Sequence, residues 1–182
     1  MSKIKPFHVL FLAFLVSVVL FANHWKSDIP NTPVSENISQ KINTEIPETA
    51  ENDTLRDSIV AFGKQFLGTP YVAAGCSKDG FDCSGFVYYV FQNFNIKVPR
   101  SSSGFENFGH EIAIEKVQKG DVLVFLSPTR NAIGHIGIVS LANGKNSDFI
   151  HSSSGREMQV ITTNLANSGY AKRFVKAVRV IK

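Results

Sequence analysis

Apolar positions between Phe86 and Phe94 recur at helical spacing. Phe86, Val87, Val90, Phe91 and Phe94 share one face. Asp82 stands just before them as a natural N-cap, so Cys83 falls in the first turn of the predicted helix. A second stripe, Leu55, Ile59, Phe62 and Phe66, follows a capping-box-like start at Thr54-Leu55-Arg56-Asp57. Gly68-Thr69-Pro70 stops it. Beyond the helices the pattern changes to β-type runs, at about 121–126, 135–141, 148–152, 157–162 and 173–181. Hairpin-length connections predict an antiparallel sheet with helices on one side, an α+β fold. The chain has no internal repeat.

The N-terminal pattern is different. Lys3 and Lys5 precede an apolar run from Phe7 to Ala22, 16 residues that include His8. That is short for a membrane span and reads as the apolar region of a signal peptide. Leu20-Phe21-Ala22 is a poor cleavage pattern, so an uncleaved membrane anchor through residues 7–22 is the alternative. Both imply export to the periplasm or cell envelope. No cysteine lies near this run, which excludes a lipid-modified cysteine there. Residues 23–53 are polar, rich in Asn, Ser, Thr, Pro and Glu, and lack periodicity, as in a disordered linker. Residues 54–182 then form one folded domain.

Charge divides along the same boundary. The linker carries two lysines against six acids, net −4, and the domain 15 Lys/Arg against 9 Asp/Glu, net +6. A basic domain suits an anionic polymer, or merely keeps the chain soluble. Its basic residues are scattered without aromatic interleaving, which argues against nucleic acid.

Candidate chemistry centres on Cys83. A helix N-terminus favours negative charge and depresses a thiol pKa. The plainer alternative is a buried structural cysteine. Of the five histidines, His8 and His24 flank the N-terminal run, and His110 sits in a polar, Gly-flanked stretch that reads as a loop. His135 opens one β-type run and His151 ends another, with the hairpin signal Asn143-Gly144 between them. A turn centred on Asn143 sets the two histidines directly opposite, with Cβ atoms about 4.5–5.5 Å apart. A longer loop shifts that pairing. Each histidine alone reads as an ordinary strand residue. Together with Cys83 they make a nucleophile, a base and a group that orients the base. Cys76 allows a disulfide or redox switch with Cys83, at the cost of the nucleophile. A zinc site of Cys76, Cys83, His135 and His151 has suitable ligand types but lacks CxxC or HxxxH spacing. A partly buried free thiol is the preferred reading of Cys76.

Six segments occur in a telling order. They are Leu67-Gly68-Thr69-Pro70-Tyr71, Gly80-Phe81-Asp82-Cys83-Ser84-Gly85-Phe86-Val87, Val98-Pro99-Arg100-Ser101, Lys119-Gly120-Asp121-Val122-Leu123-Val124-Phe125, Gly134-His135-Ile136-Gly137-Ile138-Val139 and Phe149-Ile150-His151-Ser152. In this order, from about Thr54 to the C-terminus, the chain resembles the NlpC family of cell-wall cysteine peptidases. The resemblance implies a papain-like fold with Cys83, His135 and His151 as the catalytic triad. It implies cleavage of peptidoglycan stem peptides, typically between D-glutamate and diaminopimelate, with no cofactor. It implies that Tyr71 lines the site and hydrogen-bonds near the cysteine. Asp82 and Ser84 then shape the substrate cleft, and Arg100 is a candidate substrate contact. Ala73-Ala74-Gly75-Cys76 stands where members often carry Gly-Gly, and Ser102-Ser103-Gly104-Phe105-Glu106 where a glutamine is common. Those departures bear on fine specificity. The histidines follow the cysteine, unlike the permuted acyltransferase branch. A catalytically silent wall-binding protein of the same fold is the alternative, and an exported toxin a lesser one.

Overall fold

The computed structural model describes residues 48–181. The apolar run 7–22 and most of the polar segment 23–53 lie outside the described residues.

Helix α1 spans Glu48–Lys64. It begins at Glu48 rather than Thr54, so the helix reaches back into the polar segment. Thr54 lies inside it, and its hydroxyl donates to the Ala50 carbonyl (2.9 Å) instead of capping a terminus. Glu51, Asn52 and Asp53 contain no breaker, so nothing stops the helix from extending. The chain leaves the helix through Gly68, whose φ of +86° suits only glycine without strain. Strands β1 (Cys76–Ser77) and β2 (Gly80–Phe81) form a small antiparallel hairpin. It delivers the chain to helix α2, Cys83–Gln92.

Six further strands build one antiparallel sheet. They are β3 (His110–Ile112), β4 (Val122–Leu126), β5 (Ile133–Leu141), β6 (Asp148–Ser152), β7 (Val160–Asn164) and β8 (Phe174–Arg179). Their order is β3-β8-β4-β5-β6-β7. The fold is α+β, as the pattern predicts. His110 opens strand β3 and pairs with Arg179, where the sequence predicts a loop. Strand β7 starts at Val160 and runs to Asn164, later than the predicted 157–162. Met158, at φ +48°, still belongs to the preceding turn.

Alternation along the strands gives the sheet two apolar faces. Val122, Val124, Ile136, Ile138, Ile150, Val160 and Val178 pack with Ile59 of α1 and Phe86, Val87, Val90 and Phe91 of α2. Leu123, Phe125, Val139, Phe149 and Ala177 form a second core with Leu165, Tyr170 and Phe174. Tyr170 belongs to α3, a short helix at Ser168–Ala171. The long helices therefore cover one face, and a turn-and-helix segment covers the other.

Candidate active site

Cys83 is set by its neighbours in sequence. Asp82 caps α2, and its carboxylate accepts from the Gly85 N–H at 2.6 Å. Gly85 has no room for a side chain, because a Cβ there would collide with the Gly75 carbonyl oxygen. The first turn of α2 therefore lies directly on the 73–75 loop. The Cys83 sulfur sits 3.9 Å from the carbonyl oxygen of Gly134, at the start of β5. Burial raises the thiol pKa and the Asp82 charge adds to it, against backbone N–H groups of Ile136, Ser84 and Cys83 itself. The helix N-terminus predicts a depressed thiol. Here desolvation and the adjacent carboxylate outweigh it, so the resting sulfur holds its proton.

His135 and His151 are both buried and meet directly. His135 Nε2 lies 3.0 Å from His151 Nδ1, with the rings nearly perpendicular at 88°. They are not directly opposite. The connection contains a 3-10 turn at Gly144–Asn146, and a bulge lies between Val139 and Leu141. Ile138 pairs with Ile150, which sets His151 against Gly137. His135 is the diagonal neighbour on the same face. Gly137 makes that possible, since a Cβ there would lie 3.0 Å from His151 Cβ and 2.6 Å from the Phe149 ring. The far nitrogen of His151, Nε2, lies 3.0 Å from Thr163 Oγ1 on β7.

Aromatic rings enclose the pair. Phe149 stacks on His151 at 4.7 Å between centroids. Tyr170 lies 5.7 Å from His135 and 5.1 Å from His151. Arg173 covers Tyr170 at 4.9 Å and is anchored through the Leu126 and Gly169 carbonyls, both at 2.9 Å. Burial holds His135 well below the usual imidazole range, with His151 and Arg173 adding to the effect. Burial brings His151 down to about 3, opposed by the Ser152 backbone and reinforced by Arg173. Both rings are therefore neutral near pH 7, and each carries one N–H.

The remaining predicted residues gather around the nucleophile. Tyr71 bridges to Phe81, two residues before the nucleophile, and its phenol pKa is raised by burial and then by the charges of Cys83 and Asp82. Its backbone N–H donates to the Met158 carbonyl at 2.8 Å. Asp82, Ser84 and Arg100 are spent largely on one another. Arg100 donates to both Asp82 oxygens and to Ser84 Oγ, each at 3.1 Å, and to the carbonyls of Ala74 (2.8 Å) and Gly75 (3.2 Å). Ser84 Oγ also donates to Asp82, at 3.1 Å. This network holds the helix start and the loop beneath it together. Cys76 is a free, half-buried thiol 3.6 Å from the Gly85 carbonyl oxygen. Among the described residues no three His, Cys, Asp or Glu side chains converge to hold a metal ion. Thr163, Tyr170 and Arg173 carry no sequence signal. They join the site only through cross-strand pairing and packing.

A half-buried thiol at a helix N-terminus, near a neutral imidazole pair on an antiparallel sheet, defines a site suited to thiol-dependent acyl transfer. Residues 68–179 match the model of the NlpC/P60 family, and the chain belongs to that family. It is 32% identical over 126 residues to a gamma-D-glutamyl-L-lysine dipeptidyl-peptidase of Bacillus cereus, covering 69% of this chain and 36% of that protein. It is 36% identical over 118 residues to a probable endopeptidase of Haemophilus influenzae, covering 64% of this chain and 69% of that one. The crystal structure of an NlpC/P60 family protein from Bacillus cereus superposes with a TM-score of 0.62 at 31% identity, covering 70% of this chain and 40% of the other. The chain thus spans little more than a third of the Bacillus peptidase and about two thirds of the Haemophilus protein.

Proposed function

We propose that this chain hydrolyses peptidoglycan stem peptides at the D-glutamate–diaminopimelate amide, with Cys83 as nucleophile, His135 as base and His151 as the group that orients it. The observation that carries this reading is the bond between His135 Nε2 and His151 Nδ1, with the Cys83 sulfur against the adjoining Gly134. The family relationship supplies the substrate class. A relative named for a gamma-D-glutamyl bond supports the choice of amide.

The resting state supports one order of events. The thiol is protonated and both imidazoles are neutral. His135 Nε2 faces His151, so Nδ1 is the nitrogen left to take the Cys83 proton as sulfur attacks the carbonyl carbon. Backbone N–H groups at Cys83 and Ser84, in the first turn of α2, stabilise negative charge developing beside the sulfur. The tetrahedral intermediate collapses, and His135 returns its proton to the leaving amine. Water then attacks the thioester, with His135 again as base, and the free thiol is restored. Tyr71, paired with Phe81 two residues before the nucleophile, lines the cleft, while Asp82, Ser84 and Arg100 hold its floor. A substrate in the cell wall requires export, the role read for residues 7–22.

The full chain and its Cys83→Ala variant, each given defined muropeptides, test this by mass spectrometry. The expected result is a cut between D-glutamate and diaminopimelate by the parent and none by the variant, with identical circular dichroism. Cleavage that survives Cys83→Ala overturns the mechanism. A folded parent that binds muropeptides without cutting any would favour the silent wall-binding alternative.

A further inference from the structure

We propose that Thr163 is a positioning residue for this site, whose hydroxyl accepts the outer N–H of His151 and so supports His135 as the base. The inference rests on the Cys83–His135–His151 reading above.

His135, His151 and Thr163 lie in a diagonal line across β5, β6 and β7. His151 stands against Gly137 and Ile161, and Thr163 against Phe149. Their side chains share one face of the sheet and are joined by two bonds of 3.0 Å each. Such a chain of groups has two proton arrangements. In one, each N–H points toward β7: His135 Nε2–H donates to His151 Nδ1, and His151 Nε2–H donates to Thr163 Oγ1. In the other, every bond is reversed and the His135 proton sits on Nδ1. Only the first leaves His135 Nδ1 open to receive a proton from the thiol.

A hydroxyl serves either arrangement at rest. It serves only one after the proton moves. Breaking the Cys83 S–H bond and forming His135 Nδ1–H leaves a thiolate and an imidazolium with both nitrogens protonated. His151 Nδ1 must then accept from His135, the single His151 proton must be on Nε2, and Thr163 must accept it. Without Thr163, a buried N–H beside a new cation has no partner. Two other charged or titratable groups face the pair besides Cys83 on α2: Tyr170 on α3 and Arg173 just after it. Arg173 opposes the imidazolium, which makes an acceptor at the far end more valuable.

Thr163→Val keeps the shape and removes the acceptor, and Thr163→Ser keeps the acceptor. With a muropeptide substrate, Thr163→Val is expected to lower kcat about tenfold or more with KM unchanged, the size of one buried N–H left without an acceptor. Thr163→Ser is expected to restore kcat to the parent value. In a Cys76→Ser background, iodoacetamide should alkylate Cys83 more slowly in Thr163→Val and at the parent rate in Thr163→Ser. Parent-like kcat and alkylation in Thr163→Val overturn the assignment, and inactivity of Cys83→Ala beside that result leaves the hydrolase reading standing. Equal losses in both Thr163 variants, tracking a fall in melting temperature, also overturn it by showing a structural role alone. Full activity in Cys83→Ala overturns the Cys83–His135–His151 mechanism and this assignment together.

Discussion

His151 ties the site to the acid stability of the protein. Its folded pKa is about 3, whereas an exposed imidazole titrates near 6.5. Between those values the unfolded chain binds a proton that the folded chain refuses. Stability therefore rises with pH across this window and is flat above it. At pH 5 the loss relative to pH 8 is expected to be about 2 kcal/mol from this ring alone. Urea titrations of the parent and His151→Gln at both pH values check this, and the variant should lose less stability on acidification. Cys83, His135 and His151 were all legible in the sequence, because a capped helix start and two β-type runs around a turn place them by local rules. Thr163, Tyr170 and Arg173 were not legible. A threonine in a strand and a tyrosine in a four-residue helix look ordinary until register and packing set them against the imidazoles. The protonation state of Cys83 was also beyond local reading. A helix dipole depresses a thiol in an exposed turn, but this turn is largely desolvated and lies beside a carboxylate.

Among the elements, the β5–β6 hairpin decides whether the histidines meet. Symmetry about Asn143 predicts a face-to-face pair, but the 3-10 turn and the bulge beside it together leave the pairing offset by two residues. A two-residue shift preserves the face of every side chain, which is why the prediction survives in substance though not in register. Gly137 turns the diagonal placement into contact. Gly137→Ala is expected to cost about 1–3 kcal/mol through overpacking against Phe149 and His151. It should also reduce cleavage more than its stability loss explains, because it displaces the ring proposed to orient His135. Thermal melts compared with rates well below the melting temperature separate the two effects. The start of α1 differs from the pattern's expectation for a related reason. Thr54 has the composition of a cap, but a hydroxyl in a helix is equally able to bond the carbonyl four residues back. Only the chain before it decides, and that chain continues the helix.

At the scale of the whole domain, Asp121 fastens the elements that lie far from one another in sequence. It is fully buried and meets Arg56 of α1 at 3.2 Å and Arg179 of β8 at 2.9 Å. It also accepts from the Gln118 N–H at 2.7 Å. Asp121→Ala leaves Arg56 buried without its partner and is expected to cost about 3–5 kcal/mol. A lower urea midpoint with an unchanged slope would show it. The sequence held Asp121 within a motif but gave no sign of its two arginines, which come from opposite ends of the domain. The two apolar faces of the sheet have a consequence of their own. Cys83 is held by a helix packed on the first face, and the imidazole pair is backed by the rings of the second. The proposed mechanism needs both halves. A newly made or partly unfolded chain carries a sulfhydryl and two histidines with nothing to bring them together. On the proposed mechanism, closure of both cores is the event that arms the site.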